Sequence, residues 1–161
     1  PMCRTKNMTL TEAESEVPFF GKIFIFSAHC AKGGYHMADV EAAEKKEPAK
    51  YSLDVESKDD LTARVIRSAE GVIKIPHVGS MEPGVNAEGF VSNVEGVLEK
   101  FKKQIEHLRD SAEDEEDKTT AKNMLKKLQN VLWGSEKIKI IIEDKTGNSA
   151  IISERAVRSK L

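Results

Sequence analysis

The sequence predicts a mainly β protein carrying one α-helical insert. Three observations carry this. Short runs of alternating apolar and polar residues fill both ends of the 161-residue chain, the period of half-buried strands. Over about 93–133 that period gives way to a helical one. Glycine and proline mark the joints between runs. Strands that flank a helical pair usually rejoin one antiparallel sheet or sandwich.

The first strands fall within residues 8–47. "KIFIFSA" is rich in β-branched and aromatic residues, with Phe24 and Phe26 on one face and Ile23 and Ile25 on the other. "MADVEAAE" follows Gly33-Gly34, so a hairpin turns near Cys30 to Gly34. Glu47-Pro48 marks a boundary. It divides a finger and hairpin, 1–47, from a β-domain, 48–161. In the second part "YSLDV" alternates Tyr51, Leu53 and Val55 with polar residues. "ARVIRS" and "GVIKIP" read as neighbouring strands joined around Ala69 to Gly71.

The helical stretch holds two helices. Val94, Val97, Leu98, Phe101, Ile105 and Leu108 share one stripe, and Ser92 with Glu95 forms an S-x-x-E capping box. A second helix is expected from near Ser111, with acids Glu113 to Asp117 at its start, where the helix dipole favours them. Its stripe is Met124, Leu125, Leu128, Val131 and Leu132, and Gly134 stops it. "EKIKIIIED" then alternates Ile138, Ile140 and Ile142 with Lys137, Lys139 and Ile141. "DKTGNS" turns the chain into a returning strand, "AIIS".

Composition narrows the function. Charged residues make up 32% of the chain and the net charge is −2, so a general binder of phosphate backbones is disfavoured. No apolar run approaches a membrane span, and no signal-peptide pattern opens the chain. With two cysteines and no secretory pattern, a reducing cytoplasm is the expected setting.

"HCAKGGYH" reads like half of a zinc knuckle, C-x-x-C, with Gly33 in place of the second cysteine. Cys3 and Cys30 are spaced for two knuckles brought together by a hairpin, and equally for two buried, unligated thiols. His29 and His36 stand nearby, either as substitute ligands or as surface residues of the hairpin. No H-E-x-x-H, G-x-S-x-G or Walker pattern occurs, and no acid–base or nucleophilic constellation is expected. Arg64, Arg67 and Lys74 alternate along two neighbouring strands, either as an ordinary solvated strand face or as one positive sheet face. Phe19 and Phe20, after Pro18, are either core residues or a partner contact beside the knuckle.

Taken together, "PMC", "VPFFGKIFIFSAHCAKGGYHMADV", "DDLTARVIRSAEGVIKIP", "EGFVSNVEGVLEKF" and "EDKTGNSAII" resemble the ZPR-type zinc-finger family, in order and over nearly the whole chain. The resemblance is to an archaeal member with a single finger-plus-domain module. It implies a zinc ribbon followed by a β-sandwich of double-stranded β-helix type with a helical hairpin inserted. It implies structural zinc, with Cys3 and Cys30 as second and third ligands, the first ligand preceding Pro1 and Gly33 at the fourth position. It implies a non-enzymatic protein that binds the GTPase translation elongation factor one-alpha and assists its folding. Phe19, Phe20, Arg64 and Arg67 are then the expected partner-binding residues. Two other readings remain open. One is an RNA- or ribosome-associated zinc ribbon using Arg64, Arg67, Lys22 and Lys32. The other is a small-molecule enzyme in a cupin-like barrel.

Overall fold

The computed structural model describes residues 6–17, 21–42, 46–84 and 87–161. Three antiparallel strands come first: β1 (Met8–Val17), β2 (Gly21–Cys30) and β3 (His36–Ala42), in the order β1-β2-β3. β2 turns into β3 at Cys30 to Gly34, as the glycine pair predicts. Gly34 takes the left-handed conformation, φ 64°, which a side chain would resist.

The rest forms two sheets and a helical hairpin. The larger sheet holds β4 (Ala49–Val55), β6 (Val72–Ile75), β7 (Gly79–Met81), β9 (Ile138–Asp144) and β11 (Val157–Lys160), ordered β11-β4-β9-β6-β7. The smaller holds β5 (Arg64–Arg67), β8 (Phe90–Asn93) and β10 (Ala150–Ile152), ordered β10-β5-β8. A 3-10 turn, Asp59–Thr62, precedes β5. Helices α1 (Val94–Ser111) and α2 (Glu115–Leu132) follow β8.

One core joins these layers. Leu53, Val55, Ile73, Ile75, Ile138, Ile140 and Ile142 line the inner face of the larger sheet. They meet Val65 and Ile151 of the smaller sheet, and Val97, Leu98 and Phe101 of α1. The smaller sheet has strands of only three or four residues, too short to cover the larger one. α1 covers the remainder, and α2 packs on α1 through Leu128 and Val131. Fully burying each large apolar side chain here contributes roughly 1.5–3 kcal/mol.

Several boundaries differ from the sequence reading. The cap of α1 is Asn93, not Ser92: its Oδ1 accepts from the Gly96 N–H at 2.8 Å. Ser92 is still extended and paired with Val65. α2 begins at Glu115, because the Ser111 hydroxyl bonds back to the His107 and Leu108 carbonyls and closes α1. Leu108, expected in the buried stripe, is 67% exposed. Gly134 does stop α2, at φ 78°. β5 and β6 are not a hairpin but lie in different sheets, as do β9 and β10.

Candidate functional site

The finger sheet is anchored by alternation. Ile23 points into a small apolar cluster with Ile66 and Ala150 of the smaller sheet, and Ile25, Tyr51 and Ile152 pack around it. Phe24 and Phe26 lie on the opposite face, half-buried, with ring centroids 6.4 Å apart. A second tie comes from β3: the Asp39 carboxylate accepts from the Gly89 N–H at 2.9 Å.

At the far end of β2, Cys30 is 1% exposed. The turn around it has the hydrogen bonds of a knuckle. The Gly33 N–H donates to Cys30 Sγ at 3.3 Å, Gly34 N–H to the Cys30 carbonyl at 3.0 Å and Cys30 N–H to the Tyr35 carbonyl at 2.8 Å. The backbone of a metal-binding turn is present, and the ligand expected at position 33 is a hydrogen atom.

The described residues do not fit a tetrahedral zinc site, which needs four nitrogen or sulfur ligands. His29 and His36 face each other across β2 and β3, rings edge-on at 6.4 Å. Both are exposed, and alternation places His29 on the strand face opposite Cys30. Among the described residues no three His, Cys, Asp or Glu side chains stand together as a metal group. Cys3, Phe19 and Phe20 lie outside the described residues.

The basic strip does not form. Arg64 is exposed on β5 beside a shallow cleft shared with Asp59 and Arg155. Arg67 is 5% exposed, because β5 is the central strand of its sheet. Its Nε donates to the Gly71 carbonyl at 2.7 Å and an Nη to the Glu88 carbonyl at 3.3 Å. The guanidinium also lies 5.6 Å from the centre of the Phe90 ring, whose ring has Lys100 Nζ at 4.8 Å. Burial pulls the Arg67 pKa below its usual value, against the opposing pull of Asp144. Lys74 belongs to the other sheet and pairs with Glu143. Arg67 therefore holds the fold together rather than facing a partner.

A polar cluster that composition did not reveal sits where the two sheets meet. β9 alternates Ile138, Ile140, Ile142 and then Asp144 on its buried face. The Asp144 carboxylate is 1% exposed. It accepts from Ser149 Oγ at 2.5 Å and Ser68 Oγ at 2.6 Å, and from the Thr146 N–H and hydroxyl, both at 2.7 Å. Ser149 Oγ in turn accepts from the Ser68 N–H at 2.9 Å. The signal in the sequence was a carboxylate at a core position followed by T-G-N-S. Gly147, at φ 69°, brings this turn against the backbone of Glu47, in the segment between finger and β4. Asn148 Oδ1 is buried with no hydrogen-bond partner among the described residues.

The finger sheet, sandwich and helical hairpin are matched by known proteins. A family model described as the ZPR1 jelly-roll domain matches residues 59–160. A ZPR1-like protein of Methanocaldococcus jannaschii is 38% identical over 156 residues, which cover 96% of this chain and 79% of that protein. A ZPR1-like protein of Pyrococcus horikoshii is 37% identical over 166 residues, covering 100% of this chain and 74% of that one. The zinc finger chaperone zpr1 of Schizosaccharomyces pombe is 31% identical over 153 residues, 91% of this chain but 32% of its own length. With a jelly-roll match over most of its length and two relatives, 38% and 37% identical, of which it covers about three quarters, this chain is a member of the ZPR1 family.

Proposed function

We propose that this chain is a non-enzymatic, protein-binding chaperone that acts in the cytoplasm on a GTPase of the elongation factor one-alpha type. One observation carries the chaperone reading: the similarity to a protein named zinc finger chaperone extends over 91% of this chain, finger and sandwich together. The choice of elongation factor rests on the family resemblance of the finger and of the D-x-x-G-N-S turn. The geometry is compatible with binding work. The finger sheet is held to the sandwich by the Ile23 cluster and the Asp39–Gly89 bond, and a surface held rigid loses less entropy on docking. The RNA reading is weakened: of its four residues Arg67 is buried and Lys22 is paired with Glu14, while Arg64 and Lys32 are exposed.

The test is a titration against elongation factor one-alpha loaded with GDP or GTP, with an unrelated GTPase alongside and with zinc added or withheld. The expected result is nucleotide-sensitive binding to the elongation factor alone. Equal affinity for the unrelated GTPase would overturn the reading. Binding indifferent to zinc would place the contact on surfaces that need no metal.

A further inference from the structure

β1 is an unusual strand. It runs for ten residues, about twice the common length, and its described side chains are almost all exposed. Leu10, its largest apolar residue among these, is 75% exposed. Among the described residues β1 pairs with β2 alone, at the edge of the finger sheet. Its other edge presents backbone donors and acceptors at the spacing of a sheet ladder.

The side chains on β1 have a regular charge. Glu12, Glu14 and Glu16 point to one face, and the register sets them beside Phe26, Phe24 and Lys22 of β2. Lys22 pairs with Glu14, leaving a row dominated by carboxylate next to an aromatic pair. The opposite face carries the small residues Thr9, Thr11, Ala13 and Ser15. Two copies of this edge would bring glutamate rows together, so the charge disfavours self-pairing. The complement is a strand with cationic side chains every second residue. Those cations would meet the glutamates across the ladder, where opposite charges stabilise, and the two phenylalanine rings offer further faces for a cation.

We propose that the outer edge of β1, which no other described strand pairs with, accepts an extended basic segment of a partner protein by strand addition, its alternate Lys or Arg side chains reading Glu12, Glu14 and Glu16. Backbone pairing supplies the affinity and the alternation supplies the register. Strand addition at this edge does not depend on which GTPase is bound.

The experiment uses the full chain and three nine-residue peptides: alternating Lys and Thr, the same composition with the lysines grouped at one end, and alternating Glu and Thr. The alternating lysine peptide is expected to bind roughly ten-fold or more tighter than the grouped one, and to weaken as salt rises. It should slow amide exchange at alternate positions of residues 9–16. The double substitution Glu12→Lys with Glu16→Lys, both at exposed positions, should invert the preference toward the glutamate peptide. Equal binding of the two lysine peptides overturns the proposal and leaves only non-specific charge attraction. Unchanged exchange along β1 also overturns it, and the glutamates then serve only to keep the edge from pairing. Failure here with intact elongation-factor binding would leave the proposed function standing.

Discussion

Ser68 and Asp144 join the two sheets of the sandwich. Ser68 follows β5 in the smaller sheet, Asp144 ends β9 in the larger, and the hydroxyl donates to the carboxylate at 2.6 Å in a fully buried setting. Ser149 and Thr146 complete the ring of donors.

Asp144→Ala should be among the most damaging single changes in the chain. It leaves the Ser68, Ser149 and Thr146 donors without their shared acceptor, and an unmet buried polar group costs about 1–3 kcal/mol. Urea unfolding should show a loss of about 3 kcal/mol or more. Ser68→Ala alone should cost about 1 kcal/mol, because three donors to Asp144 remain. Equal costs for the two variants would mean that the carboxylate is not the hub.

The same group sets an acid limit. Burial is the largest influence on Asp144 and acts to raise its pKa. Hydrogen bonds from Ser149, Ser68 and Thr146 together outweigh it and hold the carboxyl below its ordinary range. Asp60 is alike: burial acts to raise it, and the Glu56 and Ser57 N–H groups, the Ser57 hydroxyl and Arg155 bring it below. A depressed carboxylate adds stability above its unfolded pKa, about 4, and that stability is lost as pH falls through the lower folded value. Unfolding free energy should thus hold from neutral pH to about 5 and fall below about 4. The decline should be shallower in Asp144→Asn; an unchanged slope would assign the acid limit to other groups.

Gly147→Ala should destabilise the turn twice over. The residue is left-handed, and a Cβ there would strike the Glu47 carbonyl and the Lys46 side chain. The expected cost exceeds about 1 kcal/mol. Gly84→Ala is the control, since nothing lies within 4 Å of its Cβ position. Melting temperatures should separate the two substitutions.

Ile23→Ala should loosen the finger without unfolding the sandwich. Ile23 is buried against Ile66 and Ala150, and removing such a side chain costs about 2–5 kcal/mol where the cavity cannot collapse. Hydrogen exchange should speed up across β2 and β3 while β4 and β9 keep their protection. Uniform acceleration over all four strands would show that finger and sandwich unfold as one unit.

Gly33→Cys should raise affinity for zinc. The knuckle's left-handed residue is Gly34, so a side chain at 33 does not compete with that requirement. It would bring a thiolate into the turn whose N–H already faces Cys30 Sγ. Competition with a coloured chelator at pH 7, repeated at lower pH, should show tighter and more acid-sensitive binding in the variant. No gain would mean that the turn does not aim residue 33 at the Cys30 sulfur.

Element type was legible wherever local periodicity decides it. Alternation in "KIFIFSA" and "EKIKIIIED", and the stripe from Val94 to Ile105, each match the observed faces. Sheet membership was not legible. "ARVIRS" and "GVIKIP" look like a hairpin because only a few residues join them, yet the choice of sheet is made by distant strands: β8 and β10 capture β5, and β7 and β9 capture β6. That choice also decided the basic residues. Arg67 looked exposed by composition and is buried because its strand is central. Leu108 shows the reverse, a stripe position that runs past the edge of the surface it was meant to cover. The Asp144 cluster was half legible: its place on the buried parity of β9 could be read, while Ser68, its donor from far upstream, could not.

The register of β4 against β9 has a consequence for how the chain is made. Val55 lies opposite Ile138 and Ala49 opposite Asp144, with both helices encoded between them. On the ribosome, β4 must wait through the synthesis of β5 to β8 and the whole helical hairpin before its central neighbour exists. Pairing so distant in sequence is slow to form. During that interval the apolar face of Leu53 and Val55 has no sheet partner, which makes the nascent chain aggregation-prone. The chain is thus at greatest risk late in its own synthesis, until β9 emerges.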